Sequence, residues 1–195
     1  MTVEAATTRR ETATTALLDA AERLLIASGY AGLTTRRVAA EAGVNHGLVH
    51  YYFGSMEELL LQVLERFTDR LIARQTAMYE ADIPFLDKWR TAMAWLERDV
   101  DSGYPKVWWE LQAMAWNHPE MLERLERVDD IWRTLLRTHF ASALEEYGID
   151  FPLEATVSLV MAFNKGIQIE QLSGITNGHR ELLGWIDAWL EGRAP

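Results

Sequence analysis

The sequence contains no cysteine, which excludes disulfides, thiolate metal sites and cysteine nucleophiles and suits a reducing compartment. Long apolar runs are missing as well. Nothing approaches the roughly 20 consecutive apolar residues of a membrane-spanning helix, and residues 1–11 are polar where a secretory leader would be basic and then apolar. A soluble, cytoplasmic protein is expected on these grounds. Positive charge is in deficit, with 19 Lys and Arg against 29 Asp and Glu and a net charge of −10, which argues against a generally basic nucleic-acid binder. There is no Gly-rich phosphate loop, no nucleophile elbow and no cluster at metal-ligand spacing, so no cofactor and no metal is expected. Sustained alternation with β-branched enrichment is absent too, which leaves an all-α chain.

What is present is helical periodicity, with 49% hydrophobic residues to supply a core. Leu17, Ala21, Leu24, Leu25 and Ser28 share one face of a first helix over about 11–28, ended by Gly29. Thr34 is placed to cap a short second helix with Val38, Ala39 and Ala42 as its small apolar stripe and Gly43 as its terminator. Asn45 is placed to cap a third short helix, 45–51, with Val44 and Val49 as a hydrophobic staple. Ser55 and Glu58 then have capping-box spacing before a long fourth helix, 55–80. Further helices are expected at about 84–101, 105–117, 119–147, 153–173 and 179–191, about nine in all. Pro119 and Pro152 suit first turns, and Gly103, Gly148 and Gly174 mark ends.

The average charge conceals an asymmetry. Residues 1–55 carry five arginines (9, 10, 23, 36 and 37) against five acids, and the remaining 140 residues hold 14 basic side chains against 24 acidic ones. Only the first segment can approach a polyanion without a repulsive penalty. It also contains two short helices joined by a Gly-containing turn and preceded by a longer one, the arrangement of a helix-turn-helix whose second helix enters the major groove. The stretch "VNHGLVHYYFGSMEEL", residues 44–59, has no lysine or arginine. Neutral His, Asn and Tyr nevertheless donate and accept hydrogen bonds to base edges and phosphates. The exposed face is expected to carry Asn45, His46, His50 and Tyr51, with Gly47 removing a side chain where backbone and DNA come close, and the inward face Leu48 or Val49 plus Phe53. Charge would come from Arg36 and Arg37 next door, and amides at the N-terminus of the second helix and at Ser55 offer further phosphate contacts.

"LTTRRVAAEAGVNHGLVHYYFGSMEELL", with the first helix ahead of it, resembles the DNA-binding domain of the tetracycline-repressor (TetR) family from about residue 14 to 65. Beyond that the similarity is one of architecture. The resemblance implies that Thr35 and Tyr52 bind phosphates, that Arg36 reaches a base edge, and that His46, Gly47, His50 and Tyr51 face the groove. Two positions depart from the family pattern: His50 stands where tyrosine is usual, and Met56 stands where lysine is usual after the cap of the fourth helix. The second removes a phosphate contact, which implies either weaker intrinsic DNA affinity or compensation from Arg9, Arg10, Arg36 and Arg37. On this basis the chain divides into a DNA-binding domain, 1–54, a connecting helix, 55–80, and an effector-binding and dimerisation domain, 81–195.

Plainer readings compete at each point. Aromatics at helical spacing over 45–53 are core packing in many small helical domains, and this holds for Phe53 and part of Tyr52 in either case. His46 and His50, at i and i+4, are half of a metal site with no third ligand in local reach. All eight tryptophans follow residue 88. Trp89, Met93, Trp108, Leu111, Gln112, Trp116, Trp132 and Phe163 are candidates to line an apolar effector pocket, the alternative being an ordinary core. Trp108 and Trp109 cannot both face inward. The last two helices are apolar on more than one side, so Val160, Phe163, Ile167, Trp185, Ile186 and Trp189 are candidates for a dimer interface, with Ala162 and Gly166 permitting close approach, unless they are buried within one chain. The expected function is a ligand-responsive transcriptional regulator, a repressor released from a palindromic operator by a hydrophobic small molecule. A regulator whose helical half is a protein-interaction module, and an α-helical enzyme using Glu110, Asp129 or Asp130, are the alternatives.

Overall fold

The computed structural model describes residues 3–195, with side chains from Arg10 onward, so the Arg9 side chain lies outside the described residues. Among the described residues the chain forms nine α-helices and one short 3-10 helix: α1 Val3–Ser28, the 3-10 helix Tyr30–Gly32, α2 Thr35–Glu41, α3 Gly47–Phe53, α4 Met56–Tyr79, α5 Phe85–Arg98, α6 Tyr104–Ala115, α7 Pro119–Glu146, α8 Leu153–Leu172 and α9 His179–Glu191. The all-α reading holds and most helix bounds agree. The start of α1 does not, because its first two turns are rich in Ala and Thr and carry no apolar stripe for periodicity to find. No described helix is long and apolar enough to cross a membrane.

The chain separates into two compact units, Met1–Phe67 with Lys106–Leu122, and Thr68–Pro105 with Glu123–Pro195. In the first, Leu17, Ala21, Leu25, Val38, Val49 and Leu64 are buried to within 1%, and each large aliphatic side chain so buried contributes about 1.5–3 kcal/mol. Ser28, expected on that inner face, is exposed, and its hydroxyl donates to the Leu24 carbonyl at 2.8 Å, a bond its own helix supplies without burial. Arg66 on α4 donates to Asp19 at 2.7 Å and Glu22 at 2.6 Å, tying α4 to α1.

Helix α6 enters this unit through a pair of polar contacts. Glu110 accepts from the Tyr30 amide at 2.8 Å, where the 3-10 helix begins. Lys106, one turn earlier, donates to the Ile26 carbonyl at 3.4 Å, near the end of α1. A carboxylate thus meets exposed amides and an ammonium meets exposed carbonyls, as the partial charges of helix ends favour. Gly29 lies between them at φ 67°, ψ −179°.

The second unit has its own core, in which Leu86, Trp89, Met93, Leu136, Phe140 and Val157 are buried and Trp132, Val160, Phe163 and Trp189 pack against them. The Leu86 amide, in the first turn of α5, donates to the Tyr147 hydroxyl at 3.0 Å. Trp132 Nε1 donates to the buried Tyr104 hydroxyl at 2.9 Å. Arg90 grips Asp187 through Nε and Nη2 at 2.8 and 2.9 Å, joining α5 to α9, and these hydrogen bonds hold the Asp187 carboxyl below the usual carboxylate range.

Candidate nucleic-acid interface

Thr34 caps α2 from an extended backbone, its hydroxyl oxygen accepting from the Arg37 amide at 3.2 Å, a cap of a kind whose removal costs about 1 kcal/mol. Val38 and Ala39 turn inward. Arg36 is exposed on the opposite side, while one guanidinium nitrogen of Arg37 donates to the Gly32 carbonyl. The turn into α3 closes with the Val44 amide on the Ala39 carbonyl at 2.9 Å.

Helix α3 begins two residues later than periodicity implies. The cap position falls to His46, which makes no side-chain cap bond, a correction to the expected Asn45 cap; Asn45 stands one residue earlier, and its Oδ1 accepts from the amide of Gly47, the first helical residue, at 2.9 Å. A Cβ on Gly47 would lie 3.3 Å from that Oδ1. Gly47 therefore leaves Oδ1 room in this bond, a role that the expectation of close DNA approach did not include. Val49 at 0% and Phe53 at 6% exposure pin the helix to the core, which settles the inward choice between Leu48 and Val49 for Val49. What remains outward is Asn45, His46, Gly47, His50 and Tyr51, with Tyr51 77% exposed. Tyr52 is half-buried and its ring meets that of Tyr51 edge-on at 5.0 Å. His50 Nδ1 lies 3.1 Å from the Gly54 carbonyl. Ser55 caps α4 by accepting from the Glu58 amide at 3.0 Å. Thr35, Ser55 and Met56 are half-buried at the two helix starts that flank α3.

The helix-turn-helix expectation thus corresponds to two seven-residue helices, the second exposing a polar and aromatic face of no formal charge. A family model described as bacterial regulatory proteins of the tetR family matches residues 17–63. An HTH-type transcriptional repressor of Mycobacterium tuberculosis is 33% identical over 141 residues, covering 71% of this chain and 72% of that one. The chain belongs to the tetR family. Two solved structures share the fold: a TetR transcription regulator from Haloarcula marismortui, at a TM-score of 0.72 and 20% identity over 91% of this chain and 95% of that one, and FadR of Bacillus subtilis in complex with stearoyl-CoA, at 0.73 and 14% over 90% and 96%.

In this tetR-family chain the eight candidate pocket residues do not fall in one unit. Trp89, Met93, Trp132 and Phe163 share the core of the second. Trp108, Leu111, Gln112 and Trp116 belong to the first, because α6 beyond Pro105 is held to α1 and the 3-10 helix by Lys106 and Glu110. Trp108 and Leu111 are buried there, whereas Trp116 is 68% exposed. Trp109 is half-buried, with its indole nitrogen covered.

Among the interface candidates, Ile167 is 5% exposed in the single chain and belongs to its core, a correction to its expected outward role. Val160, Phe163, Ile186 and Trp189 are partly buried against that core, and Trp185 is 64% exposed. Periodicity marked α8 as two-sided without saying which residues fell on which side. Its outward stripe is Leu159, Ala162, Gly166 and Ile169. Two of the three acids weighed for catalysis have structural partners: Glu110 holds Tyr30, and Asp129 pairs with Arg133 and Lys165. Asp130 is exposed. Sequence reasoning missed the Glu110 contact, which spans 80 residues and leaves no local signature.

Proposed function

We propose that this tetR-family protein is a ligand-responsive transcriptional regulator that binds operator DNA through α3 and releases it when a hydrophobic small molecule binds the helical half. The observation that carries the reading is the outward face of α3, where Asn45, His46, His50 and Tyr51 stand exposed above a buried Val49 and Phe53. A seven-residue helix so anchored presents several hydrogen-bonding tips on a rigid support, as direct readout requires. In this assignment Arg36 reaches a base edge, and Thr35, Tyr52 and Ser55 meet phosphates. Arg37 positions the 3-10 helix through Gly32 and keeps its remaining donors for the DNA backbone.

The active form is a homodimer through α8 and α9. Leu159 at 60%, Ile169 at 39%, Leu182 at 42% and Trp185 at 64% exposure make up an apolar face that one chain leaves in water. Ala162 and Gly166 between Leu159 and Ile169 let a second copy of α8 approach closely. Two-fold symmetry then sets two copies of α3 about one DNA turn apart on a palindromic site. The effector site is assigned to the second unit around Trp89, Met93, Trp132 and Phe163. Helix α4, which begins at the DNA-binding end and continues into the second unit, is the assigned lever, and a coupling of about 1–3 kcal/mol is sufficient for regulation.

A mobility-shift titration with DNA upstream of the protein's own gene tests the reading. Salt-sensitive, sequence-specific retardation, reversed by a hydrophobic compound that also raises the melting temperature, is the expected result. Retardation insensitive to sequence would remove the operator assignment.

A further inference from the structure

His50 is fixed by a reciprocal pair of hydrogen bonds with Gly54. The Gly54 amide donates to the His50 carbonyl at 2.9 Å, and the ring Nδ1 lies 3.1 Å from the Gly54 carbonyl oxygen. A carbonyl oxygen only accepts, so Nδ1 carries a proton. Gly54 reaches this geometry at φ 76°, and a Cβ there would meet nothing within 4 Å; its backbone conformation, and not crowding, is what the site uses. The consequence is electronic. A neutral imidazole with its proton on Nδ1 has a lone pair at Nε2 and no donor there. In that neutral form the exposed tip of His50 is an acceptor. Asn45, at the other end of the same face, differs: one lone pair of its Oδ1 is taken by the Gly47 amide, and its Nδ2 offers two N–H donors.

We propose that His50 is a specificity-determining residue that selects, at one position of each half-site, a base offering an exocyclic amine in the major groove. Adenine presents N6–H2 and cytosine N4–H2 there, whereas guanine and thymine present only acceptors. Facing either of the latter, Nε2 meets a second lone pair, and both groups lose the hydrogen bonds they had to water. This assignment rests on the DNA-binding reading above and deepens it by naming what one side chain reads.

Binding-site selection from a randomised duplex library at pH 8 tests it with the full-length protein and two variants. In His50→Asn the amide nitrogen takes the place of Nδ1 and still bonds Gly54, with nothing in place of Nε2. In His50→Gln the amide reaches the place of Nε2 and pairs with adenine N6 and N7. The wild type is expected to enrich adenine or cytosine at one position per half-site, with guanine or thymine there weakening binding on the order of tenfold. His50→Asn should flatten that position alone at an unchanged melting temperature, and His50→Gln should narrow it to adenine. If the wild type and both variants select the same bases everywhere, or if the position that His50→Asn flattens accepts a base pair and its inversion equally in the wild type, His50 is a helix cap and the proposal is wrong. Failure of the wild type to enrich any sequence strikes the DNA-binding reading itself, and this inference with it.

Discussion

Replacing Gly29 with alanine acts on the contact that joins α6 to the DNA-binding helices, and the structure says how strongly. Gly29 has φ 67° and ψ −179°, a region essentially closed to residues with a Cβ, where strain costs about 1–3 kcal/mol. The added Cβ would also lie 2.7 Å from Glu110 Oε1, so the end of that flexible side chain must swing aside, and its other oxygen, Oε2, is expected to give up the Tyr30 amide that it holds at 2.8 Å. A hydrogen bond to a charged acceptor contributes about 1.5–3 kcal/mol. Gly29→Ala should therefore lose about 3 kcal/mol or more. For a chain of this size that is a fall in melting temperature of about 6–12 °C, measured by calorimetry at fixed protein concentration because the proposed dimer would make the midpoint concentration-dependent. The double variant sharpens the test. Glu110→Ala loses the bond without the strain, and combining the two loses the bond only once, so the pair should cost about 1.5–3 kcal/mol less than the two singles added. A midpoint for Gly29→Ala within about 1 °C of wild type, or strict additivity, would refute the reasoning.

Three other perturbations have defined outcomes. Burial opposes the charge on Asp129, but hydrogen bonds from Lys165 and Arg133 outweigh it and hold the carboxyl below its ordinary pKa; a depressed folded-state value stabilises above the unfolded pKa of about 3.9 and is lost as pH falls through the folded one. Asp129→Asn should thus melt below wild type at pH 7, with the gap closing below about pH 4. Met56→Lys, at the first residue of α4, should tighten operator binding and steepen the salt dependence by about 0.9 per added phosphate contact in each protomer; an unchanged slope would mean that the start of α4 is not against the phosphates. Leu159→Arg should convert a dimer into a monomer in sedimentation experiments without changing the far-UV spectrum, since Leu159 is already 60% exposed in the single chain.

The helices were legible where their signals are local. Thr34 and Ser55 cap as their spacing implies, and the expected bond from each to the third following amide is present. The cap of α3 was not legible: it falls at His46 and not Asn45, because the bond from the Gly47 amide to Asn45 moves the helix start to Gly47 without altering the pattern of apolar residues. The two sides of α8 were legible as a pair and not individually: Ile167 and Ile169 look alike in sequence, and only packing puts one at 5% and the other at 39% exposure. Least legible was the membership of α6. Its tryptophans belong to the same compositional half as Trp89 and Trp132, yet Lys106 and Glu110 bind the end of α1 and the start of the 3-10 helix through contacts 80 residues distant in the chain. A long-range bond between a side chain and a backbone group depends on neither residue pattern nor hydrophobic period, so it cannot be read from either. The site on α3 stands between these cases. Which residues face outward followed from period, while the bond from His50 to Gly54 that fixes what the histidine offers needed coordinates.

The claim that two copies of α3 read one palindrome is tested most directly by hydroxyl-radical footprinting of the full-length protein on its selected DNA. The account predicts two protected patches per strand related by a dyad, with centres about 10–10.5 bp apart or a multiple of it, both lost together in Leu159→Arg. A single patch, or two patches that persist unchanged in that variant, would contradict it.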